Sequence, residues 1–214
     1  VIWFSTRRSV THGLWLEAGN ILLDGTTLMP AADVPVRGLH NLANTMAAAA
    51  AALSAGAKPE AIAEAVRTFP GVEHRLEQVA RIDEVDYVND SKANVDATLK
   101  ALEAFSGNLW VILGGRDKGT DYTPLRALLG SKARAVLLIG ESAVKLRDQL
   151  AGAVSLEDCG TLAQAVAYAR THALPGDTVL LAPAAASFDQ FDNFEHRGRV
   201  FKQIVRALQT EVAE

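Results

Sequence analysis

The strongest constraint on the fold of this chain is a strict alternation of apolar runs and helix-forming segments after residue 71. The runs LWVIL, AVLLI and TVLLA are almost wholly apolar, which is typical of strands covered on both faces. Parallel strands need a crossover between them, usually a helix, so the alternation predicts an α/β fold with a mostly parallel sheet. The predicted elements are two strands, LEQVARI and VDYVND, then helix 94–105, strand 109–113, helix 122–129, strand 135–139, helix 142–150, strand 153–156, helix 161–172, strand 178–181 and helix 188–210.

The front of the chain follows a different pattern. Residues 1–30 contain short alternating apolar runs, which predict strands or hairpins. Helical spacing then extends over about 39–53, and a second helix is predicted to end before Pro70–Gly71, which interrupts both patterns. We therefore predict one domain over 1–70 and a second over 71–214. The predicted turns of the front part are Gly13, Gly19–Asn20 and Asp24–Gly25.

Composition excludes several classes of function. The 214 residues are 49% hydrophobic and 21% charged, which is ordinary for a globular protein, and the net charge of -4 argues against a nucleic-acid binder. The only cysteine, Cys159, cannot form an internal disulfide, so a reducing cytoplasm fits. No apolar run has the length of a membrane span. Because the sequence starts with VIWF instead of Met, we expect it to be a fragment of a longer protein.

Three polar or glycine-rich segments directly follow predicted strands. They are NDSKAN (Asn89–Asn94), GGRDKG (Gly114–Gly119) and APAAASFDQF (Ala182–Phe191). Ligands of such sheets bind beyond the carboxyl ends of the strands. Lys92 and Lys118 lie in two of these segments, and the third is expected to begin a helix whose N–H groups attract anions. Together the segments predict a cationic pocket for a small substrate with carboxylates.

Each segment also has a purely structural interpretation. Polar residues of NDSKAN can cap the next helix, and Gly114–Gly115 can form a tight turn. Ser187 and Gln190 have the spacing of a capping box. The aromatic residues Phe188, Phe191 and Phe194 have the spacing of one helix face and would then contribute to the core.

Five segments, in this order and spacing, resemble the Mur ligases, relatives of folylpolyglutamate synthase. They are GLHNLANTMAAAAAA, FPGVEHRLE, VNDSKANVDAT, LGGRDKG and LLAPAAASFDQFDNFEHRG, and they span nearly the whole chain. The resemblance implies that residues 1–70 are the end of a central ATP-binding domain and that residues 71–214 are a Rossmann-like domain that binds an amino acid. The family's phosphate loop, magnesium ligands and carbamylated lysine would precede Val1, so the chain alone is expected to be inactive.

The resemblance also implies an activity: ATP-dependent addition of D-glutamate to UDP-N-acetylmuramoyl-L-alanine through an acyl phosphate, in peptidoglycan precursor synthesis. The SFDQF segment and the absence of a DNPR motif favour glutamate over other amino acids. Alternatives are another Mur-type or folylpolyglutamate-type ligase, or a non-catalytic module that binds a nucleotide or an acidic ligand. The resemblance further implies ATP and Mg²⁺ as cofactors and a monomer in the bacterial cytoplasm.

Individual roles carry over position by position. The resemblance assigns no catalytic residue and no metal ligand to this chain. The family usually has DSKATN where this sequence has DSKAN, so Asn94 and the start of the following helix are expected to shift by one residue. The matched residues are Asn41 and Asn44 for adenine, Arg75 and Asp90 for the nucleotide phosphate and ribose, and Lys92, Lys118, Ser187 and Phe194 for D-glutamate.

Overall fold

A computed structural model of the chain describes residues 1–211. It contains two compact units, Val1–Gly71 and a second that begins at Val72. None of the helices in the described range has both the length and the apolar character that crossing a membrane requires.

The first unit is a four-stranded sheet with two helices. The strands lie in the order β1-β2-β3-β4, with β1 parallel to β2 and the other pairs antiparallel. Its core joins Leu14 and Ile21 of the sheet to Met46 of α1 and Ile62 of α2. The elements are β1 (Trp3–Ser5), β2 (Gly13–Glu17), β3 (Asn20–Leu23), β4 (Thr26–Pro30), α1 (Leu39–Ser54) and α2 (Pro59–Arg67).

The predicted turn at Gly13 is wrong, because Gly13 is the first residue of β2. Its φ is +131°, and a Cβ placed on it would lie 2.0 Å from the carbonyl oxygen of Trp3. Glycine is needed here because β1 approaches too closely for any side chain.

The second unit is a six-stranded sheet covered by helices on both faces, which confirms the predicted α/β fold with a mostly parallel sheet. Only the edge strand β5 is antiparallel to its neighbour. The elements are β5 (Glu77–Ile82), β6 (Val85–Asn89), α3 (Val95–Glu103), β7 (Leu109–Gly114), a 3-10 turn (Thr123–Leu125), α4 (Arg126–Lys132), β8 (Ala133–Ile139), α5 (Ala143–Leu150), β9 (Ser155–Gly160), α6 (Leu162–His172), β10 (Thr178–Leu181) and α7 (Phe194–Glu211).

Alternate residues of each central strand enter two separate cores. Val111 and Leu113 of β7 contact the layer of α3, α4 and α5, whereas Trp110 and Ile112 contact the layer of α6 and α7. Both faces of the strand are therefore buried, which explains its unbroken apolar sequence.

The strand order is β5-β6-β10-β7-β8-β9, so the last strand of the chain lies between β6 and β7. The segments NDSKAN, APAAASFDQF and GGRDKG follow β6, β10 and β7, respectively. The three loops thus leave the carboxyl ends of three neighbouring strands.

The predicted helix 188–210 begins too early, since α7 starts at Phe194. Residues at the start of the predicted helix are instead bonded to distant segments: Asp189 Oδ2 accepts the N–H of Glu141 at 3.1 Å, and Gln190 Nε2 donates to the carbonyl of Gly160 at 2.8 Å. Residues 187–193 then form turns.

The capping residue of α7 also differs from the one predicted. Asn193 fills this role, because its Oδ1 accepts the N–H of His196 at 2.7 Å. The predicted capping box of Ser187 and Gln190, the helix start in this segment, and the shared helix face of Phe188, Phe191 and Phe194 are therefore wrong.

Candidate functional site

The loop after β6 holds a buried carboxylate beside a lysine. Asp90 is 1% exposed, and its Oδ1 accepts the N–H of Leu76 at 3.0 Å. The Lys92 ammonium lies 3.0 Å from the same oxygen and is 26% exposed. Asp90 therefore orients Lys92, and an anionic ligand would share this lysine with Asp90.

The same loop ends directly in a helix cap. Asn94 precedes α3, and its Oδ1 accepts the N–H of Ala97 at 2.7 Å. Asn94 thus caps α3, which is the structural role predicted for polar residues of this loop, and it lies two residues after Lys92.

The loop after β7 approaches its neighbours as closely as a backbone can. A Cβ on Gly114 would lie 1.9 Å from the carbonyl oxygen of Ile139, and one on Gly115 would lie 2.0 Å from that of Ala186. Both residues have positive φ, +125° and +140°. The two glycines are therefore needed for contact with β8 and with the loop after β10, which is more than a tight turn requires.

The tip of this loop is exposed and cationic. Lys118 and Arg116 are exposed, and within residues 1–209 no hydrogen bond or ion pair joins either side chain to another residue. Asp117, between them, pairs with Lys145 of α5 at 3.2 Å and ties the tip to the fold. The two cations thus remain available to a ligand.

The loop after β10 contributes Ser187, which is 2% exposed, and leads to α7. Phe194, the first residue of α7, is 41% exposed, and its ring lies 6.1 Å from that of His74 in an edge-to-face arrangement. Its carbonyl accepts the Ser91 hydroxyl at 2.8 Å. The structure therefore joins Phe194 to the loop that carries Asp90 and Lys92.

His74 is a buried structural residue. Its Nδ1 lies 2.9 Å from Nδ2 of Asn89, and burial lowers its pKa although Glu73 and Glu77 oppose this effect. The adjacent Arg75 is half-buried, and its side chain has no hydrogen bond or ion pair within residues 1–209.

One group of side chains in the described range has the composition of a metal site: Glu73, His74 and Glu77, whose ligand atoms lie within 4.8 Å of one another. However, the Lys202 ammonium lies 2.9 Å from Glu73 and 2.6 Å from Glu77. The cation of this cluster is thus a lysine, and the group does not suit Mg²⁺, which requires free oxygen ligands.

Asn41 and Asn44 belong to the first unit and lie three residues apart on α1. Asn41 is 3% exposed and donates from Nδ2 to the carbonyl of Arg37 at 2.7 Å, whereas Asn44 is exposed. One donor of Asn41 is thus already used within the protein.

Sequence reasoning missed two residues of this region, Ser91 and Arg197. Both are completely buried, and Arg197 Nε donates to Ser91 Oγ at 3.0 Å across a separation of 106 residues. A buried position for Arg197 has no sequence signal, because arginine on a helix is usually exposed.

The fold defines a class of protein: an α/β domain with a mostly parallel sheet, in which ligands characteristically bind at the loops beyond the carboxyl ends of the strands. The family described as "Mur ligase, glutamate ligase domain" matches residues 74–185, just over half of the chain. The chain belongs to the Mur ligase family.

Curated relatives support this membership. The chain is 59% identical over 210 residues to the UDP-N-acetylmuramoylalanine--D-glutamate ligase of Solibacter usitatus, covering 98% of this chain and 48% of that protein. It is 50% identical over 214 residues to the ligase of the same name from Acidobacterium capsulatum, covering 97% and 46%. The chain thus spans about half the length of these relatives.

Solved structures share the fold. UDP-N-acetylmuramate-alanine ligase from Thermotoga maritima matches with a TM-score of 0.69 at 18% identity, over 97% of this chain and 48% of that one. Folylpolyglutamate synthase from Mycobacterium tuberculosis, complexed with ADP, matches with a TM-score of 0.60 at 14% identity, over 89% and 46%. At these identities the likeness concerns the fold alone.

Proposed function

We propose that this chain is the carboxyl-terminal part of a ligase that uses ATP to add D-glutamate to UDP-N-acetylmuramoyl-L-alanine, in the synthesis of peptidoglycan precursors. The observation that carries the proposal is the convergence of three loops at neighbouring strand ends, two of which present lysines. The names of the relatives favour D-glutamate over the substrates of other Mur or folylpolyglutamate ligases, and they favour a ligase over a non-catalytic binding module.

The chemistry of D-glutamate suits this edge of the sheet. It carries two carboxylates and one amine, and the amine must stay free to attack. Lys92 and Lys118 would bind the carboxylates, Ser187 would add a hydrogen bond, and Phe194 would cover the methylene groups. When only its carboxylates are bound, the amine of D-glutamate has no hydrogen-bond partner in the protein and is held in a fixed orientation for attack.

ATP would supply the phosphoryl group that turns the carboxylate of the UDP-linked substrate into an acyl phosphate, from which amine attack releases phosphate. We assign Asn41 and Asn44 to adenine, Arg75 to the nucleotide phosphate and Asp90 to ribose. An amide offers adenine both a donor and an acceptor, and a guanidinium pairs with phosphate. Besides binding ribose, Asp90 would orient Lys92, a second role supported by the 3.0 Å distance between the Lys92 ammonium and Asp90 Oδ1.

The proposal keeps the Mg²⁺ ligands in the longer protein, as the resemblance implies, and assigns none to the acidic cluster that Lys202 fills. It includes a monomer in the bacterial cytoplasm that acts on small molecules and binds neither nucleic acid nor membrane.

The test is an assay of the longer protein that contains this chain, with ATP and UDP-N-acetylmuramoyl-L-alanine. We expect phosphate release with D-glutamate, and a product heavier by one glutamyl residue in mass spectrometry. L-Glutamate, D-aspartate and meso-diaminopimelate are the controls. Turnover with one of these or with a folate substrate instead would assign a different ligase, and nucleotide binding without turnover would favour a binding module.

A further inference from the structure

The guanidinium of Arg197 lies where the three loops meet. Arg197 belongs to the first turn of α7 and is completely buried. Its Nε donates to the hydroxyl of Ser91 at 3.0 Å and its Nη2 to the carbonyl of Ser91 at 3.3 Å. Its Nη1 donates to the carbonyl of Ala185 at 3.1 Å. One side chain thus binds the loop after β6 and the loop after β10.

The third loop is also in contact with this group. A Cβ placed on Gly115 would lie 3.3 Å from Nη1 of Arg197. The loop after β7 therefore rests against the guanidinium through a residue without a side chain, and a Cβ there would require a shift of a few tenths of an ångström.

The buried environment of Arg197 disfavours the charged form of its guanidinium. Burial lowers the pKa of Arg197 to about 10, against the opposing effect of the Asp189 carboxylate, so the group remains charged at neutral pH. Its three hydrogen-bond acceptors are all neutral, and in the described part no carboxylate lies within ion-pair distance of it. Burying a charge in this way contributes little net stability, which argues that the residue serves another purpose.

We propose that Arg197 is a positioning residue of the amino-acid site. It holds the three loops in one arrangement, and thereby sets the distances among Lys92, Lys118 and Ser187, without touching the substrate. The planar fork of a guanidinium binds Ser91 and Ala185 together, and the compact ammonium of lysine lacks this fork. The role of Arg197 rests on the proposed function.

The first test compares Arg197→Lys, Ser91→Ala and Arg126→Lys in the longer ligase. Arg126 is the matched control, because its Nη1 also donates to two carbonyls, those of Gln149 (2.6 Å) and Ala151 (3.1 Å) at the end of α5, and not to any residue of 89–94, 114–119 or 182–191. We expect the KM for D-glutamate to rise about 10- to 100-fold in Arg197→Lys, since a shift of the order of 1 Å at a site has effects of this size. Ser91→Ala should raise it less, and Arg126→Lys should leave it unchanged.

The ratio of two Michaelis constants separates positioning from folding. A positioning role predicts a larger rise in the KM for D-glutamate than in the KM for ATP, because Lys92, Lys118 and Ser187 all lie in these loops, whereas Asp90 is the only nucleotide residue there. Equal rises in both, in step with a lower Tm, would mean that Arg197 only stabilises the fold and would overturn the proposal. An unchanged KM for D-glutamate in Arg197→Lys would overturn it as well.

The second test needs no substrate. Hydrogen exchange in this chain should speed up in Arg197→Lys, but not in Arg126→Lys, at the amides of Gly114 and Arg116, which bond the loop after β10. Unchanged exchange would overturn the role of Arg197 whatever the substrate is. If exchange is faster in Arg197→Lys but the wild-type ligase does not use D-glutamate, the role of Arg197 in joining the loops stands and the proposed function is wrong.

Discussion

In the second unit, the amino ends of the strands (the amino edge) and their carboxyl ends (the carboxyl edge) differ in how their charged side chains are paired. At the amino edge, Asp177 is 1% exposed and accepts hydrogen bonds from Trp110 Nε1 (2.9 Å), Arg134 Nε (2.8 Å) and the Leu174 N–H (3.0 Å). Lys132, at the same edge, donates to the carbonyls of Leu102 and Phe105 at 2.9 and 2.7 Å. These charges are compensated within the protein.

At the carboxyl edge, compensation is incomplete. Within residues 1–209 the exposed side chains of Lys118 and Arg116 have no hydrogen-bond or ion-pair partner, and the buried Arg197 has neutral acceptors alone. The charges of the amino edge are thus paired within the protein, and the unpaired charges of the carboxyl edge support the proposed ligand site there. The following predictions are ordered by their expected effect on the free energy of unfolding.

Gly115→Ala should have the largest effect, a loss of about 3 kcal/mol or more, because its Cβ would lie 2.0 Å from the Ala186 carbonyl oxygen at a φ of +140°. Gly119→Ala is the matched control: its φ is +76°, but a Cβ there has nothing within 4 Å, so about 1 kcal/mol of backbone strain is expected. Urea unfolding measures both. Equal losses of unfolding free energy in the two variants would show that the close contact between Gly115 and Ala186 does not affect stability.

Asp177→Asn should cost about 2 kcal/mol, because it breaks the ion pair with Arg134 and leaves a weaker acceptor in a buried site. The KM for D-glutamate should not change, since this edge lies away from the loops. A rise in that KM would contradict the separation of the two edges.

The stability contributed by Asp177 should also depend on pH. Burial raises the pKa of Asp177, but hydrogen bonds from Leu174 N–H, Trp110 and Arg134 outweigh burial and keep the pKa below its usual value. This stability is complete above about pH 4, the usual pKa of an aspartate, and is lost as the pH falls through the lowered folded-state value. The difference in unfolding free energy between wild type and Asp177→Asn should therefore shrink in acid. A difference that stays constant down to pH 2 would contradict this assignment.

Asn94→Ala should cost about 1 kcal/mol, the usual value of a helix cap. Thr161→Ala, which removes the capping box of α6, should cost about the same and serves as the control. The KM for D-glutamate should rise in Asn94→Ala alone, because Asn94 ends the loop that carries Lys92. Equal KM values in the two variants would show that this cap has no part in the site.

Lys118→Ala should have the smallest effect on unfolding, within about 0.5 kcal/mol, because Lys118 is exposed and without a partner in the described range. The proposed role predicts a much larger rise in the KM for D-glutamate than in that for ATP. An equal change in both constants would count against this role, and Lys145→Ala would show how much of the effect comes from tethering the loop through Asp117.

Much of the fold could be predicted because its signals are local. The apolar strand LWVIL and the helices α5 and α6 follow from periodicity, and β7, α5 and α6 lie within one residue of the predicted bounds. The helix predicted at 122–129 is observed three to four residues later, as α4 at Arg126–Lys132. The start of α7 could not be predicted, because Asp189 and Gln190 bond to Glu141 and Gly160, 48 and 30 positions earlier. A local capping pattern cannot register such distant bonds.

By itself, the sequence determined that loops with Lys92, Lys118 and Ser187 follow strands, since residue type and position along the chain are enough to predict strand ends. Only the tertiary structure decided that β10 lies between β6 and β7, and hence that these loops are neighbours. It also decided that Asp90 orients Lys92 and that Arg197 is buried among the loops. The physical reason is that strand order and side-chain burial depend on contacts between distant segments, which no local pattern encodes.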